Sequence, residues 1–95
     1  MNETYKNVFS ALEDDPAEAR NLFIRSKLML EIKKQIKETG MTQKAAGTKM
    51  GVTQPRISDL MQGKIDLFTI DALVSMLEKI GVEVEVSVKP AVVAA

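Results

Sequence analysis

The chain has 95 residues, 45% hydrophobic and 27% charged, which suits one small domain with a single core and excludes a disordered chain. It contains no Cys and no His, so disulfides, thiolate zinc sites and the usual general bases are ruled out, and neither catalysis nor a cofactor is expected. The formal net charge is zero but unevenly spread: residues 1–19 carry one base and five acids (−4), residues 20–64 ten bases and three acids (+7), and residues 65–95 two bases and five acids (−3).

Asn7 is placed to cap a short helix carrying Val8, Phe9 and Leu12, which ends at the acidic pair Asp14–Asp15. Asp15 caps a second helix. Pro16 stands at its first position, where a missing N–H costs nothing, and Glu18 stands third, as in a capping box. This helix is expected to run to Thr39 and stop at Gly40. Leu22, Met29, Ile32 and Ile36 share one face, which Ile24 and Leu28 widen, whereas Phe23 and Leu30 fall on another side. The first half is therefore apolar nearly all round and needs a second neighbour: the short N-terminal helix or another chain.

Thr42 caps a helix to Met50 with Ala46, Gly47 and Met50 inward, and Gly51 ends it. Thr53 caps the next, in which Pro55 is tolerable in the first turn, Ile57 and Leu60 point inward, and Gly63 is the stop. Thr69 caps a last helix, Ile70 to Ile80, with Leu73, Val74, Leu77 and Ile80 as its stripe. VEVEVSVKP then alternates with the period of a half-buried strand: Val82, Val84, Val86 and Val88 on one side, Glu83, Glu85 and Ser87 on the other. The expected organisation is an acidic N-terminal segment (1–15), a helical domain (16–81), a strand (82–90) and a tail (91–95). No apolar run approaches the ~20 residues of a membrane span. MNETYK lacks the flank and apolar stretch of a signal peptide, so a cytoplasmic protein with no membrane partner is expected.

Two short helices joined by a tight turn at Gly51 have the form of a helix-turn-helix. Gly47 sits where the helices approach, and a larger side chain there would hold the backbones apart. Val52, Ile57 and Leu60 plug the second helix into the core. Thr53, Gln54, Pro55, Arg56, Ser58, Asp59 and Gln62 are left outward, around a helix N-terminus that fits the DNA major groove.

TQKAAGTKMGVTQPRISDLMQGK resembles the helix-turn-helix of xenobiotic-response-element and Cro/phage-repressor regulators: "TQ" opens the first helix, "GVTQ" makes the turn, "IS-L" lies in the second helix and "GK" follows. With NVFSAL before it and LEKIGVEVEVSVKP after it, the chain is similar over roughly residues 7 to 90 to HigA-like antitoxins, many of them encoded beside a RelE-like ribonuclease toxin. The resemblance implies a mainly α, lambda-repressor-like bundle of about five helices, with a C-terminal β-strand that pairs in a dimer. It gives Thr42 and Gln43 a place at the first motif helix, Gln43 bonding a phosphate. Gln54 becomes the reader of a base, and Arg56 and Asp59 become exposed recognition positions. Lys64 becomes the phosphate contact after the glycine. Pro55 departs from the pattern, since it cannot donate and can only pack on a thymine methyl. Ala46 stands where many repressors have a large aliphatic residue. The plainer alternative makes Gln43 and Gln54 surface polar residues only.

One strand cannot satisfy its own backbone, so the same strand of a second copy is its simplest partner, with a free tail as the alternative. Two recognition helices about 34 Å apart then match a palindromic operator. The acidic segment bearing Val8, Phe9 and Leu12 suits a basic toxin, or packs on Phe23 and Leu30 of its own chain. The function expected is an operator-binding repressor and antitoxin. A lone phage or chromosomal regulator and a helical adaptor without DNA binding are the alternatives.

Overall fold

In a computed structural model that describes residues 14–91, three of the four α-helices among the described residues start where a polar side chain satisfies free backbone N–H groups. Asp15 opens α1 (Pro16–Thr39): its Oδ1 accepts from the N–H of Ala17 at 3.0 Å and of Glu18 at 3.3 Å. Gly40, at φ 68°, closes α1 in the left-handed region and donates to the carbonyls of Ile36 and Lys37. Thr42 opens α2 (Gln43–Met50) by accepting from the N–H of Ala45 at 3.1 Å. Thr53 precedes α3 (Gln54–Met61) but makes no side-chain cap bond. Pro55 has no N–H to offer, and the N–H of Arg56 goes to the Thr53 carbonyl at 3.1 Å. A 3-10 turn, Ile65–Leu67, leads to α4 (Ile70–Lys79), which Thr69 caps through the N–H of Ala72.

α1 lies along α4, and α2 packs against α3 in front of them. The core takes Leu22, Met29, Ile32 and Ile36 from α1, the four residues the helical spacing singles out. Ala46, Met50, Ile57 and Leu60 join them from the motif helices, and Leu73, Met76 and Leu77 from α4. Ile65 and Phe68 complete it from the 3-10 turn, an element the sequence reading lacks. On α4 the buried stripe runs through Met76, while Val74 and Ile80 are half-buried at its edge. No polar or charged residue is fully buried among the described residues, so the core itself is apolar.

One expectation falls outside the described residues and another changes. Among the described residues there are four α-helices; the short helix expected to carry Val8, Phe9 and Leu12 lies outside them. The stretch 82–91 forms no strand, since nothing among the described residues supplies a ladder partner. Its start is tied down: the N–H of Val82 donates to the Leu77 carbonyl at 3.0 Å and that of Val84 to Glu78 Oε2 at 3.3 Å. Val82 and Val84 pack on the core, but Val86 and Val88 are 82% and 91% exposed, so the four valines do not share one buried face within a single chain.

Candidate nucleic-acid interface

The close approach of α2 and α3 builds the site. A Cβ on Gly47 would stand 2.7 Å from the carbonyl oxygen of Val52, so only glycine lets the backbones meet at this distance. The N–H of Val52 closes the turn on the Gly47 carbonyl at 2.9 Å, and Gly51 turns the chain at φ 72°. Ile57 and Leu60, both fully buried, seat α3 from beneath, with half-buried Val52 beside them.

This anchoring brings the N-termini of α2 and α3 together. Gln54 Nε2 donates to Gln43 Oε1 at 3.4 Å. The bond occupies one donor of Gln54 and leaves its second N–H and its carbonyl oxygen free, the donor–acceptor pair that matches an adenine edge. Thr42, Thr53, Gln54 and Pro55 are exposed around this point, and Gln43 is half-buried.

The other expected site residues are held more closely. Gln62, which caps the C-terminus of α3, donates through Nε2 to Ser58 Oγ at 3.0 Å. Lys64 Nζ lies 3.3 Å from Asp59 Oδ1, so these two form an ion pair rather than two independent contacts. Arg56 departs furthest from expectation: it is half-buried, its guanidinium carbon 4.2 Å from the centre of the Phe68 ring. The turn bearing that ring is fastened by Arg25, whose Nη1 donates to the carbonyls of Ile65 (3.1 Å) and Phe68 (3.4 Å). Neither Arg25 nor Phe68 has an expected role from the sequence. An arginine set among the apolar residues of the first half of α1 is the one signal that points to the first. Among the described residues there is no group of three or more metal-ligating side chains, and no helix is long and apolar enough to cross a membrane.

The comparisons with known proteins agree with this geometry. A family model described as "Helix-turn-helix domain" matches residues 11–89, and the chain belongs to that family of DNA-binding domains. A solved structure named "Putative XRE Family Transcriptional Regulator" is similar with a TM-score of 0.72 and 24% identity, covering 82% of this chain and 99% of that one. At that identity the likeness establishes the fold. No curated protein matches the chain.

Proposed function

We propose that the protein is a sequence-specific transcriptional repressor that binds a palindromic operator as a homodimer and serves as the antitoxin of a ribonuclease toxin in the cytoplasm. It performs no catalysis. The observation that carries the DNA reading is the Gln54–Gln43 bond at the paired N-termini of α2 and α3, which holds an exposed amide ready for a base edge. Gln43 and Lys64 meet phosphates on either side, and Lys64 exchanges its Asp59 partner for the backbone.

Dimerisation proceeds through residues 82–90. Exposed Val86 and Val88 in one chain are the surface a second copy would cover, and a cleft of about 680 Å³ between Val88 and Phe23 of α1 leaves room for it. The antitoxin reading draws on the resemblance to HigA-like proteins and on the acidic segment 1–15, whose Val8, Phe9 and Leu12 would be the apolar contacts to a basic toxin.

Titration of a duplex taken from upstream of the reading frame, against a scrambled duplex, tests the repressor. Tighter binding of the upstream duplex supports it, and equal binding refutes it. Removing residues 82–95 should leave a monomer in analytical ultracentrifugation with reduced operator affinity, because each half-site loses its neighbour's effective concentration. A truncated chain that stays dimeric places the interface elsewhere. Removing residues 1–15 should spare DNA binding and abolish capture of the protein encoded by the adjoining reading frame; undiminished capture refutes the toxin contact.

A further inference from the structure

Arg56 occupies the third position of α3, yet it is half-buried while Gln54 and Pro55 before it are exposed. Its guanidinium rests on Phe68, a ring only 1% exposed that closes the 3-10 turn after the helix. A side chain laid against Phe68 is held close to the turn that follows the helix. Stacking engages the ring face and consumes none of the five guanidinium N–H donors. What remains is a planar fork held beside the ring by a half-buried side chain, the shape that pairs with two phosphate oxygens. Lys64, assigned to a phosphate above, stands at the start of the same turn.

Phe68 is in turn held from behind. Besides its two bonds to the turn carbonyls, Arg25 donates through Nε to Asn21 Oδ1 at 2.7 Å and pairs with Glu18 at 3.6 Å, with its side chain 12% exposed. α1 thus fixes the turn, the turn fixes the ring, and the ring fixes Arg56.

We infer that Arg56 is a phosphate clamp rather than a reader of bases, and that Phe68 is its positioning residue. The inference rests on α3 being the helix that enters the groove. In full-length protein titrated across a salt series with the upstream and scrambled duplexes, Arg56→Ala should flatten the logarithmic salt slope by about one unit. It should weaken both duplexes by the same factor. Phe68→Leu, which keeps an apolar side chain but loses the ring, should weaken binding roughly 2- to 5-fold, the size of a partly exposed stack. It should cost nothing further in the Arg56→Ala background.

A second reading needs no DNA. The Arg56 Nε–H resonance of the free protein should lie upfield under the ring current and move downfield in Phe68→Leu. A changed preference between duplexes with an unchanged slope in Arg56→Ala overturns the clamp. Additive losses in the double variant, or an unmoved resonance, overturn the role of Phe68. Equal binding of both duplexes by the native chain sinks the sequence-specific reading alone, because slope and resonance still decide Arg56. No binding to either duplex sinks both.

Discussion

Gly47→Val puts a side chain into the one place where α2 and α3 meet backbone to backbone. The first added carbon alone would stand 2.7 Å from the Val52 carbonyl oxygen, 3.3 Å from the Thr53 carbonyl carbon and 3.4 Å from the Gln54 nitrogen. All three are backbone atoms of the turn and of the first residue of α3, so no rotamer change relieves the contact. Two further methyl groups enlarge it. Replacing a helical glycine recovers only about 0.3–0.5 kcal/mol of propensity, because valine is itself a modest helix former. Overpacking costs about 1–3 kcal/mol, and the upper part of that range applies where the crowded atoms are backbone. The balance is a loss of about 2 kcal/mol. At roughly 4–8 °C per kcal/mol for a domain of this size, the melting midpoint should fall by about 8–16 °C. Thermal unfolding followed by far-ultraviolet circular dichroism measures it. The helices must also part for the valine to fit, which breaks the Gln54–Gln43 bond, so the folded variant should bind its operator more weakly. A midpoint equal to or above that of the native chain would refute the close-approach argument.

Three further outcomes follow from packing, capping and titration. Ile32→Ala deletes a fully buried side chain at the centre of α1 and should cost about 2–5 kcal/mol in urea unfolding. Thr42→Ala removes an observed cap bond and should cost about 1 kcal/mol. Thr53→Ala, at a cap with no side-chain bond, should cost measurably less in the same assay. The Thr69 hydroxyl, followed by nearby backbone N–H groups, holds the Asp71 carboxyl below its ordinary value. A depressed folded-state pKa contributes stability that is present above the unfolded value and lost as pH falls through the folded one. NMR titration should find Asp71 titrating below a reference carboxylate, and Thr69→Val should bring it back up.

The helix starts were legible in the sequence because capping is local. Asp15 with Pro16, Thr42 and Thr69 each act on N–H groups two or three residues away. The buried stripe of α1 was equally legible, since 24 residues give the helical period room to repeat. Gly47 and Gly51 could be read because close approach and a left-handed turn leave few residue types eligible. The turn Ile65–Leu67 could not: three residues show no period, and the burial of Ile65 and Phe68 depends on where α1 passes. Arg56 looked outward for the same reason, as its ring partner lies twelve positions on and is brought near only by the fold. The valines of 82–88 alternate in the sequence but do not share a buried face: Val82 and Val84 reach the core, whereas Val86 and Val88 stand exposed among the described residues.

Selection from a randomised duplex library asks whether α3 reads DNA sequence with Gln54. The native protein should enrich a two-fold symmetric motif with half-sites about one helical turn apart. Gln54→Ala should erase the preference at one base pair in each half, a loss of about 1–3 kcal/mol of discrimination, and leave the other positions intact. A native protein that enriches no motif, or a Gln54→Ala protein that enriches the native motif unchanged, would contradict the claim.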